Sequence, residues 1–146
     1  MNIVEGPAKF LAPDLLARFA AIVGDRYAIT DPADMAPYLT EERQLYHGRS
    51  PLVLRPGSVA EISEILKLAN ETGTPIVPQG GNTGLVGGQT PHNGEVLLSL
   101  KRLGRIREVD PTSNTMTCEA GVILLKAQEA AATAGRRAGR GSLVRA

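Results

Sequence analysis

The 146-residue sequence predicts an α+β fold, a small parallel βαβ sheet followed by a β-hairpin, with flanking helices. Three observations carry this. Two short apolar runs, residues 52–54 and 75–78, bracket a stretch with helical periodicity and signals at both helix ends. Two strand-like runs, 105–110 and 115–119, are separated by the turn-forming Pro111-Thr112-Ser113-Asn114. The length suits one domain, which buries about 68–70% of the surface of its unfolded chain.

Residues 13–23 set Leu15, Leu16, Phe19, Ile22 and Val23 on one helical stripe, ended by Gly24. Asp31-Pro32 couples an N-cap acid to a first-turn proline and starts a second, short helix. Residues 39–50 are polar and read as a loop. Leu52-Val53-Leu54 is a strand stopped by Arg55-Pro56-Gly57. Ser58 and Glu61 form a capping box, and the following helix is expected to bury Ile62, Ile65, Leu66 and Ala69 and to stop at Gly73. With the strand at 75–78 this makes a βαβ unit, whose two strands run parallel. Residues 95–100 are a further strand, 105–119 the hairpin, and 123–134 a helix with Leu124, Ala127, Ala131 and Ala134 on one side.

Between these elements lies Pro78-Gln79-Gly80-Gly81-Asn82-Thr83-Gly84-Leu85-Val86-Gly87-Gly88-Gln89, part of a stretch with six glycines in residues 80–94. Glycines let a ligand approach the backbone closely, and successive amides in such turns form a nest for an anion. Asn82, Thr83 and Gln89 add neutral hydrogen-bond groups. No Lys or Arg lies between Pro78 and Leu100, so amides and dipoles would hold a phosphate there. The dinucleotide spacing of glycines at i, i+2 and i+5 is absent, as is the Gly-Lys-Ser/Thr of a P-loop. The loop reads either as a structural turn or as a ligand cradle. Its place directly after a parallel strand favours the cradle, because ligands sit beyond the carboxyl ends of such strands.

The stretch LVLRPGSVAEISEILKLANETGTPIVPQGGNTGLVGGQTP, with Arg55-Pro56, Gly87-Gly88 and Cys118-Glu119-Ala120-Gly121, resembles the first FAD-binding subdomain of the vanillyl-alcohol-oxidase or PCMH-type flavoproteins. Within them it is similar to the D-lactate and D-2-hydroxyglutarate dehydrogenase branch, over about residues 12–135. The resemblance implies a PCMH-type fold and FAD as cofactor. It implies that Gly80, Gly81, Asn82, Thr83 and Gly84 wrap the pyrophosphate, with Pro78 and Gln79 also among the cofactor-binding residues, that Leu85, Gly87 and Gly88 continue under the cofactor, and that Ala120 and Gly121 lie near the flavin. Some members attach flavin through a histidine at the position of Asn82; an amide cannot, so non-covalent FAD is expected. The implied activity is oxidation of a small D-2-hydroxy acid by hydride transfer to flavin. The alternative is a binding module for FAD or a nucleotide phosphate without turnover. The ending RRAGRGSLVRA departs from the family's apolar continuation, so a shortened chain, inactive alone, is expected.

Three segments follow: an N-terminal helical part over 1–50, an incomplete PCMH-type subdomain over 51–135, and a disordered basic tail over 136–146. The tail's four arginines turn a balance of 12 basic and 15 acidic groups into a net charge of +1, too little for an electrostatic grip on nucleic acid. Aromatics are 3%, too few for base stacking. No membrane span and no secretory signal are read, and the expected location is cytoplasmic. One cysteine and two histidines do not make a zinc site. Cys118 reads as a buried small hydrophobe, His47 and His92 as exposed loop histidines, and Arg55 as paired with a local acid. No catalytic group and no metal ligand are assigned.

Overall fold

The computed structural model describes residues 11–136 together with the backbone of residues 144–145. Helix α1, Pro13–Val23, begins with proline in its first turn and ends where Gly24 turns left-handed at φ +79°. After a single 3-10 turn, strand β1 (Ala28–Ile29) leads to helix α2, Pro32–Leu39. Asp31 caps α2, its carboxylate accepting from the Ala33 N–H at 2.8 Å. Strand β2 is Val53–Leu54 and helix α3 is Val59–Thr72. Ser58 Oγ accepts from the Glu61 N–H at 3.1 Å, and the Glu61 carboxylate reaches back to the Gly57 N–H at 2.8 Å, closing the capping box one residue before the cap. Strands β3 (Ile76–Gln79) and β4 (Val96–Ser99) flank the glycine-rich loop, β5 (Ile106–Asp110) and β6 (Thr115–Cys118) form the hairpin, and α4 is Leu124–Thr133.

The first sheet has the order β1-β2-β4-β3. Strand β4 lies between β2 and β3 and runs parallel to both, so the βαβ unit has the expected sense but not adjacent strands. Strand β1, not anticipated from the sequence, pairs antiparallel with β2. Both faces of the sheet are covered, and successive residues of each strand alternate between them. Leu52, Leu54, Val96 and Leu98 pack with Phe19 and Val23 of α1 and with Ile65, Leu68 and Ala69 of α3. Val53 and Leu97 face the other way, against Met35 of α2.

Two expected helix faces hold only in part. On α3 Leu68 is buried, whereas Leu66 is exposed. Leu66 sits about 100° around the helix from Ile65, past the edge of the stripe that meets the sheet. On α4 Ala127 and Ala131 pack against Met116, but Leu124 is exposed, because the small hairpin does not reach the first turn.

The hairpin carries a bulge between Ile106 and Glu108. Val144–Arg145 form a strand, β7, parallel to β6, in register Met116↔Val144. The tail expected to be disordered otherwise lies largely outside the described residues; at this dipeptide it differs, because the open edge of β6 offers unpaired backbone groups to any extended segment. No helix among the described residues is long and apolar enough to cross a membrane.

Candidate functional site

Strands β3 and β4 are parallel and in register to their ends, Gln79 opposite Ser99. Their carboxyl ends define one edge of the sheet, and the glycine-rich loop leaves from it. The Leu100 N–H donates to the Gln79 carbonyl at 2.8 Å. Gly121 comes to the same edge: its N–H donates to the Leu103 carbonyl at 2.8 Å, and a Cβ on it would lie 1.9 Å from the Leu100 carbonyl oxygen. The structure therefore brings Gly121 against the Leu100–Leu103 turn that follows β4, at the edge from which the loop leaves.

The loop has a buried root and an exposed crest. Gln79 is 1% exposed, while Gly81, Thr83, Gly84, Leu85, Val86 and Gly88 are exposed. The Gln79 side-chain amide donates to the Tyr38 carbonyl at 2.8 Å, the Gln89 carbonyl at 3.1 Å and Asn82 Oδ1 at 3.3 Å. Asn82 is left-handed at φ +62° and donates to the carbonyls of Thr40 at 2.9 Å and Pro37 at 3.2 Å. Gln89 donates to the Gly84 carbonyl at 2.8 Å, closing the loop on itself. Two of the three side chains expected to offer hydrogen bonds to an anion, Asn82 and Gln89, are thus committed within the chain. Thr83 remains at the crest.

A second turn, residues 40–48, supports the loop from outside. The buried Glu41 carboxylate accepts from the backbone N–H groups of Arg43 at 2.7 Å, Leu45 at 2.6 Å and Tyr46 at 3.3 Å. Burial acts to raise the Glu41 carboxyl, yet these three donors and the Arg43 guanidinium together hold it below the ordinary carboxylate value. From this turn the Arg43 guanidinium donates to the Leu85 carbonyl. The Tyr46 ring packs where Gly87, at φ +74°, leaves no room for a Cβ, which would lie 3.0 Å from ring carbons.

Three glycines of the loop have no such internal reason. A Cβ on Gly80 or Gly88 would meet nothing within 4 Å, and one on Gly81 only the Thr83 side chain at 3.9 Å. None of the three is left-handed. Neither backbone strain nor a neighbour in the chain demands glycine there. A ligand pressed against the backbone would give such a reason, and amides in a glycine-rich turn suit a pyrophosphate.

The remaining candidates are accounted for otherwise. Cys118 is buried on β6. His47 is exposed and pairs across the turn with Thr40. His92, expected to be exposed, is half-buried with its ring edge-on to Tyr46, centroids 6.3 Å apart, because the second turn folds over it. Among the described residues Arg55 has no acidic partner; its carbonyl accepts from Arg102 at 2.7 Å, and Arg102 stacks 3.5 Å above the Tyr27 ring. Among the described residues no three His, Cys, Asp or Glu side chains are grouped to hold a metal ion.

The profile of a family described as FAD binding domain matches residues 50–145. The chain is 36% identical over 123 residues to a D-2-hydroxyglutarate–pyruvate transhydrogenase of Saccharomyces cerevisiae, covering 83% of this chain and 25% of that protein. It is 40% identical over 124 residues to a probable mitochondrial D-2-hydroxyglutarate dehydrogenase of Oryza sativa, covering 84% of this chain and 22% of that protein. The chain thus spans about a quarter or less of the length of these relatives. Among solved structures, p-cresol methylhydroxylase superimposes with a TM-score of 0.73 at 21% identity, covering 88% of this chain and 27% of that one. The 4-ethylphenol oxidase of Gulosibacter chungangensis does so with a TM-score of 0.73 at 25% identity, covering 89% and 27%.

Proposed function

The chain belongs to the FAD-binding domain family, and from that membership we propose that it forms the pyrophosphate-holding part of a flavin-dependent dehydrogenase acting on a small D-2-hydroxy acid, of the D-lactate or D-2-hydroxyglutarate type. FAD is the cofactor of this family. The observation that carries the assignment of the site is the open space around Gly80, Gly81 and Gly88 at the carboxyl edge of a parallel sheet. The names of the yeast and rice relatives support the substrate class.

When bound, FAD supplies the acceptor for the hydride taken from substrate. The chain's own residues bind and orient. Amides of residues 80–84 and 87–88 hold the pyrophosphate without bulk or formal charge, and the Thr83 hydroxyl adds a donor at the crest. Pro78 sets the exit of β3, Gln79 and Asn82 fasten the root, and Leu85 would continue the loop along the cofactor. Ala120 and Gly121 would lie toward its flavin end. The Asn82 amide, bonded to the carbonyls of Thr40 and Pro37, offers no nucleophile, which supports non-covalent binding. A second reading for the chain by itself is a module that holds FAD without turning over. The cytoplasmic location expected from the sequence gains no support from these relatives, the rice one being named as mitochondrial.

Titration of FAD into the purified chain, followed by flavin fluorescence, tests the assignment. Saturable binding that ADP competes away is expected, with all flavin released on denaturation. Absence of binding overturns the function, and flavin retained after denaturation overturns the non-covalent assignment. Anaerobic bleaching of the bound flavin by D-lactate or D-2-hydroxyglutarate separates a dehydrogenase from a module without turnover.

A further inference from the structure

Helix α2 ends with carbonyls that it cannot satisfy itself, as every helix does. Those of Pro37 and Tyr38 in its last turn, and of Thr40 just after it, have acceptor oxygens directed at the glycine loop. Each is met by a side-chain amide of the loop. Asn82 Nδ2 spans Pro37 and Thr40, and Gln79 Nε2 takes Tyr38. Gln79 Nε2 also reaches Asn82 Oδ1 near the start of the loop and the Gln89 carbonyl at its end. Two primary amides therefore tie both limbs of the loop to one helix end. A carboxylate of the same shape has no hydrogen to donate and could not do this. The left-handed backbone of Asn82 directs its side chain inward to α2 while its neighbours Gly81 and Thr83 stay exposed.

We propose that Gln79 and Asn82 are positioning residues for the cofactor, a pair of amides that hold the glycine loop in its ligand-ready shape by fastening it to the end of α2. The proposal rests on the reading of the loop as the FAD pyrophosphate site. It assigns Asn82 an inward role rather than a contact to phosphate. It also makes the turn at residues 40–48, which begins at Thr40 and grips the loop again at Leu85, part of the apparatus that shapes the site.

The test uses the full chain with Asn82→Asp, Asn82→Gly and Gln79→Met. Asn82→Asp keeps the shape and removes the donors; Asn82→Gly keeps access to the left-handed backbone and removes the amide. Two quantities are read: hydrogen exchange at the amides of Arg43, Leu45, Tyr46 and Gly48 without FAD, and the Kd for FAD. Loss of one or two of these hydrogen bonds is expected to speed exchange by about tenfold and to weaken FAD by about tenfold. Ser58→Ala, which removes a helix cap far along the chain from the loop, is expected to leave FAD affinity unchanged, separating positioning from general stability. Weaker FAD binding with unchanged exchange would show a direct ligand contact and overturn the proposal. So would faster exchange with unchanged affinity. If Gln79→Met does not fold, the two Asn82 variants at the half-buried position decide. Failure of the unsubstituted chain to bind FAD overturns the cofactor reading itself and is distinguishable from failure of the variants alone.

Discussion

Some of the described glycines are needed by the fold, and the proposed function gives others a ligand to approach. Gly121 belongs to the first kind, since any side chain there would collide with the Leu100 backbone. Gly81 belongs to the second, having neither a left-handed backbone nor a close neighbour; that conformation falls instead on Asn82. Opposite outcomes are therefore expected for the same substitution. Gly121→Ala should destabilise the folded chain by about 3 kcal/mol, read by chemical denaturation, because backbone must move to admit the methyl group. Gly81→Ala should leave stability within about 0.5 kcal/mol of the parent, as surface changes do, while weakening FAD binding. Equal loss of stability in both variants would remove the distinction.

The elements around the site are short and borrow their stability from one another. The turn at 40–48 has little apolar content of its own and is organised by a single buried carboxylate, Glu41, with three backbone donors. Because the folded-state carboxyl is held below its ordinary value of 4.5, its contribution is present above that pH and is lost as pH falls through the lower folded value. Glu41→Gln should lower the melting temperature at neutral pH and flatten the decline below pH 4.5. An unchanged acid limb would exclude Glu41 as its origin. Helix α3 shows the contrasting case of an element whose ends are written locally, in Ser58, Glu61 and Gly73.

Among the described residues, apolar side chains stand exposed in two groups, besides Val59 and Leu66 on α3. Ile123, Leu124 and Leu125 at the start of α4 are each more than half exposed, and Leu45, Leu85 and Val86 stand out beside the glycine loop, Val86 at 84%. Contiguous exposed apolar patches favour association and bind apolar dyes. The isolated chain should enhance the fluorescence of such a dye and self-associate with concentration in sedimentation. Ile123→Ser with Leu124→Ser should reduce both. A monodisperse chain that ignores the dye would contradict this. The same openness bears on the cofactor. Ligand pockets bury most of their ligand, and a single loop edge cannot, so FAD should dissociate from the chain on gel filtration. A yellow, stoichiometric protein emerging from the column would show that this edge alone suffices.

Signals that act within one turn or one strand were legible from the residues themselves. The proline and glycine ends of α1, the caps at Asp31 and Ser58, the hairpin over 105–119 and the glycine loop after β3 follow from local φ preferences and short-range hydrogen bonds. The motif that pointed to FAD is local for the same reason, a run of backbone that a phosphate can approach. Everything that depends on partners distant in the chain was decided only by packing. Strand β1 exists because two residues pair with β2, and β4 inserts between β2 and β3 because its Leu97 and its Val96 and Leu98 must be covered on opposite faces. Leu68 replaces Leu66 in the core because the sheet meets α3 along a slightly different line from the one its periodicity suggests. The inward turn of Asn82 and Gln79 toward α2 was likewise invisible in sequence, since their acceptors are backbone carbonyls, which every residue possesses and no residue type advertises.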